Sequence, residues 1–309
     1  MVDKVAKIWM DGKLVDWDDA NVHILTHTLH YGVGAFEGIR SYKRNDGSSV
    51  VFRLKEHVDR LFESCHLVRL EIPFSREDVV EACLETLQVN GLDEGYIRPL
   101  VYLGAGKMGL FAVDNPVRLS IATWRWGAYL GDEGLQKGIR AKVSSFARHS
   151  NTSTLSKGKI CGHYVNSILA KREAMQNGYD ESVMLDQDGF VSEASGENIF
   201  IAKNGKVKTP SYGSCILGGI TRDSILTLIK EMGYELTEAR FGRDEMYLAD
   251  EVWFTGTAAE VTPVREVDDR KVGKGEPGPI TKALQDRFFD IVRGEVRDHD
   301  HWLTEYTPK

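Results

Sequence analysis

Asx-Gly dipeptides set the first limits on what this chain can fold into. Asp11-Gly12, Asn45-Asp46-Gly47, Asp188-Gly189 and Asn204-Gly205 each separate two short runs of apolar or alternating residues. Such pairs tolerate the positive φ angles of a two-residue hairpin turn, so each marks a reversal between antiparallel strands. Strands are expected on both sides of the first turn over 7–15, then at 39–43, 49–53, 96–103, 117–123, 138–148, 181–185, 198–202 and 252–260. Glycines at 91 and 178 have a different use, closing helices. One helix is expected over 56–70, with Val58, Leu61, Phe62, Cys65 and Val68 on one stripe and Arg60 on another face. A second starts at Ser75, whose partner Asp78 completes a capping box. A third runs over 164–177 with an apolar stripe of Val165, Ile168, Leu169 and Met175. A fourth follows Gly219 as far as Met232, and the tail from Pro279 forms a fifth through Ile280, Leu284, Phe288 and Ile291. This mixture describes an α/β chain of the α+β type.

At 309 residues the chain is long enough for two domains. A net charge of −7 with no Lys/Arg cluster excludes a nucleic-acid partner. No apolar run is long enough to cross a bilayer, and residues 1–7 lack the apolar centre of a signal peptide. Cys65, Cys83, Cys161 and Cys215 are widely spaced and suggest neither a zinc knuckle nor a disulfide framework. The expectation is a cytoplasmic protein with reduced thiols, in which the Asn151-Thr-Ser sequon has no role.

Several segments carry chemistry. His23, His27 and His30 recur at helical spacing, but no acidic ligand is interleaved, so structural histidines are expected and no metal. Tyr31-Gly-Val-Gly-Ala-Phe36-Glu-Gly-Ile-Arg40 offers tight turns between apolar walls. Gly104-Ala-Gly106-Lys-Met-Gly109 spells a dinucleotide fingerprint after a strand, yet Asp114-Asn115-Pro116 follows where a helix must begin. A glycine-rich surface turn is expected instead. Trp124, Trp126 and Tyr129 lie in a linker-like stretch, where they either cover a cleft between domains or pack at their interface. Lys159 follows a Ser/Thr/Gly-rich loop shortly before a helix, where burial and the helix dipole would favour the free amine. Glu193 and Glu197 flank small residues that could face solvent or a site. Leu217-Gly-Gly219-Ile220-Thr221 exposes amides and a hydroxyl at a helix start, an arrangement suited to phosphate.

A lysine, a phenol five residues on, a carboxylate, two small-residue turns and an arginine together match the requirements of pyridoxal 5′-phosphate. The sequence resembles the class IV (fold-type IV) aminotransferases, most closely the branched-chain amino acid aminotransferases, from about Trp9 to Phe289. The motifs are Leu29-His-Tyr-Gly, Phe36-Glu-Gly-Ile-Arg40, Tyr96-Ile-Arg-Pro99, Trp126-Gly-Ala-Tyr129, Lys159-x-x-Gly-x-Tyr164, Ser192-Glu-x-x-Gly-Glu-Asn198, Gly219-Ile-Thr-Arg222 and Thr255-Gly-Thr-Ala-Ala-Glu260. The resemblance implies a smaller N-terminal domain (1–125), a connection (126–136) and a larger C-terminal domain with a barrel-like sheet (137–309), the cofactor lying in the cleft.

The resemblance further implies that Lys159 bonds the cofactor and carries the proton between the substrate Cα and the cofactor, with Lys157 as the competing lysine. Tyr164 would contact the ring 3′-oxygen and Glu193 the pyridine nitrogen. Arg60, Gly219, Ile220, Thr221, Gly256 and Thr257 would hold the phosphate. Tyr96 and the Thr257-Ala258 turn would receive the α-carboxylate, and Phe36, Trp126, Tyr129 and Tyr164 would line an apolar pocket. Arg98 would take the distal carboxylate of glutamate, and Tyr31 would reach in from a second subunit of at least a homodimer.

The implied reaction moves an amino group reversibly from leucine, isoleucine or valine to 2-oxoglutarate in ping-pong fashion. The same fold also serves D-amino acid and (R)-amine transaminases and aminodeoxychorismate lyases, or a non-catalytic binding protein. A nucleotide-dependent oxidoreductase is the weakest reading. His163 stands where the family commonly has Asn, beside Tyr164, and Cys161 reads as a small core residue.

Overall fold

The computed structural model describes residues 2–127 and 130–309, the side chain of Asp132 excepted. Its contacts divide the chain into two compact units: Met1–Gly127 with Gly158–His163 and Asp290–Lys309, and Ala128–Lys157 with Tyr164–Phe289.

In the first unit, the turn at Asp11-Gly12 (φ 49° and 88°) joins Lys7–Met10 to Lys13–Asp16 as expected. These strands end an antiparallel sheet ordered Leu303–Tyr306, Ser49–Phe52, Ile39–Lys43, Gly95–Leu103, Val117–Trp124, Lys7–Met10, Lys13–Asp16; Gly34–Phe36 also pairs with Gly95–Leu103. Ile39, Val51, Ile97, Val101, Leu119 and Ile121 form one buried core with Leu54, Val58 and Leu61 of the Leu54–Leu67 helix and Val79 and Leu87 of the Arg76–Val89 helix. The first of these helices starts earlier than its apolar stripe indicates. Arg53 takes a left-handed φ of 48° and turns the Ser49–Phe52 strand directly into it. The second starts on the Ser75–Asp78 capping box read from sequence.

Two further sequence expectations are settled here. Gly104–Gly109 leads into no helix; Asn115 folds over it, accepting from Lys107 N–H at 2.8 Å and donating to Gly104 O at 3.2 Å. A Cβ on Gly106 would lie 2.4 Å from Asn115 Oδ1. The histidines serve structure: His27 Nε2 bonds Gly109 O at 2.8 Å, His30 Nε2 bonds Ile24 O at 2.9 Å, and His23 Nδ1 accepts from Leu25 N–H at 3.1 Å. Beyond the expected helix the tail holds a short 3-10 turn, Asp300–Trp302, and the strand Leu303–Tyr306, which pairs with Ser49–Phe52.

The second unit is built on a mixed sheet ordered Val191–Ala194, Glu181–Leu185, Ile139–Val143, Glu260–Val267, Glu251–Gly256, Asn198–Lys203, Lys206–Thr209, Glu235–Glu238. Its core gathers Val183, Val191, Ile199, Ile201, Phe241, Phe254 and Val264. Asn204 and Gly205 (φ 51° and 76°) make the expected hairpin turn. The stretch expected as a linker contains the Gly131–Lys137 helix, and the strand expected over 138–148 is confined to Ile139–Val143.

The Tyr164–Gln176 helix buries its small residues rather than its apolar stripe. Its buried residues are Ser167, Ala170 and Ala174, while Val165, Ile168, Leu169 and Met175 are exposed in the single chain. The helix packs on Glu181–Leu185 through its small residues, which allow close approach, and the apolar stripe faces the other way.

Candidate active site

In the first unit, Lys159 is fixed by its backbone. Its N–H donates to Ser64 Oγ at 3.0 Å, and its carbonyl accepts from Phe36 N–H at 3.1 Å. A bridge between Ala35 and Ile160 continues the pairing, so both the sheet and the Leu54–Leu67 helix hold the lysine's main chain. Gly162 explains the glycine in the Lys-x-x-Gly-x-Tyr spacing. Its N–H donates to Gly32 O at 3.0 Å, and a Cβ on Gly162 would crowd the same oxygen at 3.3 Å. Lys159 Nζ lies 5.0 Å from the Phe36 ring centroid.

The same ring belongs to an aromatic enclosure around Arg98. The guanidinium carbon is 4.9 Å from the Phe36 centroid, 5.3 Å from Tyr96 and 5.6 Å from Trp124, and Arg98 Nε is buried without a hydrogen-bond partner. Trp126 meets Tyr96 edge-on, with centroids 4.5 Å apart. Gly38 makes room for the Tyr96 phenol, since a Cβ there would sit 1.8 Å from Tyr96 Oη. Phe36, Tyr96, Arg98, Trp126 and Lys159 are thus gathered within one unit.

Arg60 is engaged more deeply than its place off the apolar stripe indicated. Its Nε donates to Glu37 Oε1 at 2.7 Å and its Nη2 to Glu37 Oε2 at 2.8 Å, while His57 Nδ1 meets Glu37 Oε2 at 2.8 Å. Burial alone would raise the Glu37 carboxyl, but Arg60 and then His57 overcome it and hold it far below the usual carboxylate range. Burial is the largest single influence on His57 and lowers it; Glu37 acts the other way, and with Arg60 and Lys159 adding to the depression the net shift is downward. A carboxylate only accepts, so the neutral imidazole carries its proton on Nδ1. Glu37, His57 and Ser64 escaped sequence reasoning. The available signal was His57, Arg60 and Ser64 at i, i+3 and i+7, a polar line on one helix face.

Tyr31 is 40% exposed on the short His27–Tyr31 helix, with its ring 4.5 Å from that of His27. Tyr129 lies outside the described residues.

In the second unit, Glu193 and Glu197 are buried, so neither faces solvent. Arg148 Nη2 meets Glu193 Oε1 at 2.7 Å; Leu217 N–H and Asn198 Nδ2 donate to Oε2 at 3.0 and 3.2 Å. Asn198 Nδ2 also donates to Leu217 O at 3.0 Å, tying the carboxylate's strand to the approach to the next helix. That helix, Ile220–Glu231, has Gly219 as N-cap with no side-chain cap, and a Cβ on Gly219 would lie 2.0 Å from Asn198 Oδ1. The backbone therefore comes close to Asn198, and the first-turn amides of Ile220 and Thr221 are left to other acceptors. Thr257 and Ala258 form the turn after Glu251–Gly256, preceded by Thr255, whose buried Oγ1 has no hydrogen-bond partner. Gly256 lies against Glu197, its would-be Cβ 3.4 Å from Glu197 Cγ, and Tyr164 heads its helix. Arg148 and Asn198 are further supports of Glu193 that sequence reasoning passed over; Asn198 stood within a recognised motif, and Arg148 gave no local signal.

Among the described residues, no group of His, Cys, Asp and Glu could hold a metal ion. Taken unit by unit, the donors suit parts of a phosphorylated pyridine aldehyde: in the second unit, uncapped amides at Gly219–Thr221 and a buried carboxylate braced by donors; in the first, a lysine fixed by its main chain.

Comparison with known proteins agrees. The class IV amino-transferase family matches residues 34–267. The branched-chain-amino-acid aminotransferase of Pseudomonas aeruginosa is 51% identical over 304 residues, 98% of each chain. The crystal structure of the Escherichia coli branched-chain amino acid aminotransferase superposes with a TM-score of 0.94 at 44% identity, covering 97% of this chain and 99% of that one. The branched-chain aminotransferase of Thermoproteus uzoniensis with norvaline gives 0.93 at 39% identity, covering 97% and 99%. A further branched-chain amino acid aminotransferase, complexed with N-(5′-phosphopyridoxyl)-L-glutamate, gives 0.92 at 42% identity, covering 98% and 99%.

Proposed function

The chain belongs to the class IV aminotransferases, enzymes of fold-type IV, and from that premise we propose that it transfers the amino group of branched-chain L-amino acids to 2-oxoglutarate, reversibly and in two alternating half-reactions. The observation that carries the reading is the aromatic enclosure around Arg98. One pocket must take an aliphatic side chain in one half-reaction and a distal carboxylate in the other. Phe36, Tyr96, Trp124 and Trp126 supply apolar walls for the first, and the Arg98 guanidinium an ion-pair donor for the second. The phosphopyridoxyl-glutamate bound by one relative supports this assignment.

Pyridoxal 5′-phosphate, when bound, supplies the carbonyl that takes the amine and an electron-withdrawing ring that acidifies the substrate Cα. Lys159 would bond it covalently and, once released, take the Cα proton on Nζ; with its main chain fixed, only the side chain has to move. Lys157 is engaged elsewhere, donating to Tyr212 O and Ile216 O, which favours Lys159 for this role. Glu193 would face the ring nitrogen and Tyr164 the ring oxygen. Gly219, Ile220, Thr221, Gly256, Thr257 and Arg60 would hold the phosphate, with Glu37 orienting Arg60. Tyr96 and the Thr257-Ala258 turn would receive the substrate α-carboxylate.

Assembly as at least a homodimer is supported by an exposed apolar surface. Leu25, Leu29 and Tyr31 lie on one segment of it and Leu110, Phe111 and Val113 on another, joined through the His27–Gly109 hydrogen bond. No helix among the described residues is long and apolar enough to cross a membrane.

The test is a visible spectrum of the purified protein loaded with pyridoxal 5′-phosphate. L-Leucine should remove the cofactor band and 2-oxoglutarate should restore it. A band that responds to D-alanine or a chiral aromatic amine but not to L-leucine would overturn the substrate assignment.

A further inference from the structure

Lys157 is two residues from Lys159 and outside the proposed chemistry, yet its ammonium is heavily engaged. It donates to Tyr212 O and, at 2.9 Å, to Ile216 O, and lies 4.0 Å from the Tyr212 ring centroid. Two carbonyls four residues apart thus converge on one cation. Between them stands Cys215 with φ 58°, a left-handed conformation that a side-chain-bearing residue adopts at some cost. No helix or strand covers 210–219, so the segment's shape depends on such ties. Ser192 Oγ adds one, donating to Ser214 O at 2.9 Å.

This loop carries what the cofactor reading needs. Leu217 N–H reaches Glu193 directly, and Leu217 O holds Asn198 beside the same carboxylate. The Tyr212 ring packs on Gly218, where a Cβ would meet Tyr212 Cε2 at 2.9 Å. Gly219 then opens the Ile220–Glu231 helix. Glu193, Cys215 and Arg222 are the charged or titratable groups that act on Lys157, whose ammonium is disfavoured first by burial.

We infer that Lys157 is a positioning residue: by gathering the Tyr212 and Ile216 carbonyls it holds the loop in its strained form and so sets both the Leu217 amide against Glu193 and the Gly218-Gly219 entry to the phosphate-binding helix start. This rests on the cofactor reading above. Charged hydrogen bonds of this kind are worth about tenfold to a hundredfold in an equilibrium they control.

Lys157→Met keeps the aliphatic stem and removes the donor. It should weaken pyridoxal 5′-phosphate binding to the apoprotein by that factor in an absorbance titration, and speed deuterium uptake in peptides covering 211–219 with or without cofactor. Lys157→Arg should restore part of the affinity. Cys215→Gly in the Lys157→Met background should restore part as well, because glycine adopts the left-handed turn without the cation. A parent that binds the cofactor alongside a Lys157→Met variant of equal affinity and unchanged exchange would overturn the inference while sparing the functional reading. A parent that does not bind the cofactor would overturn both.

Discussion

Replacing Gly219 by Ala tests the geometry around Glu193, because the sign of the effect depends on a single contact. Gly219 has φ −67°, which alanine adopts freely. In open space the change would stabilise the protein by about 0.4–1 kcal/mol, by restricting the unfolded chain. Here the new Cβ would lie 2.0 Å from Asn198 Oδ1 and 3.2 Å from Arg222 Cβ. Restoring ordinary contact moves Asn198 by more than about 1 Å, enough to break its bonds to Glu193 (3.2 Å) and Leu217 O (3.0 Å). Losing a bond to a charged group costs about 1.5–3 kcal/mol, and overpacking without movement about 1–3 kcal/mol. The protein takes the cheaper route, so after the unfolded-state gain the net loss should be roughly 1–2 kcal/mol. Urea unfolding of the apoprotein measures it, and a cofactor titration should show weaker binding in parallel. Asn198→Ala in the same background removes the clash, so the two penalties should fail to add by about 1 kcal/mol or more. A Gly219→Ala protein as stable as its parent, or more so, would refute the placement of Asn198.

Arg98→Leu should slow the 2-oxoglutarate half-reaction roughly a hundredfold, the loss expected for a charged hydrogen-bonding partner, while affecting the leucine half-reaction far less; stopped-flow measurement of each half-reaction separates them. Lys159→Ala should abolish turnover with leucine, and full turnover would reassign the reactive amine. The acid limb of stability should carry two contributions of one sign. His57, lowered in the folded state, makes the unfolded chain the better proton binder, so stability falls as pH drops below the unfolded value of about 6.5. Glu37, also lowered, contributes stability that is full above the unfolded value of about 4.3 and declines as pH falls toward its folded value. Glu37→Gln should therefore be less stable near neutrality and lose less on acidification below pH about 4.3, and parallel unfolding curves for the two proteins would count against the network.

Local signals were legible where they act locally. The Ser75–Asp78 box, the Asp11-Gly12 and Asn204-Gly205 turns and the glycine stop at Gly178 describe backbone needs satisfied within a few residues, and all are present. The family motifs reached nearly every residue proposed for the site. What escaped depends on distant partners. Apolar periodicity marks the stripe of the Tyr164–Gln176 helix but cannot tell a sheet-facing side from an exposed one. The Leu54–Leu67 helix gains its first turn from the left-handed Arg53, which no propensity announces. His57, Glu37, Arg148 and Lys157 are ordinary polar residues in sequence; their importance comes from what the fold brings against them.

The strand at Leu303–Tyr306 orders events in time. It completes the edge of a sheet whose neighbouring strand, Ser49–Phe52, leaves the ribosome about 250 residues earlier. At roughly 5–20 residues per second that interval is on the order of 10–50 s. The unit built around residues 164–289 is entirely synthesised before then. The part of the molecule begun first is thus finished last. For tens of seconds the nascent chain carries a bare strand edge on Ser49–Phe52, the form in which a sheet recruits the wrong neighbour.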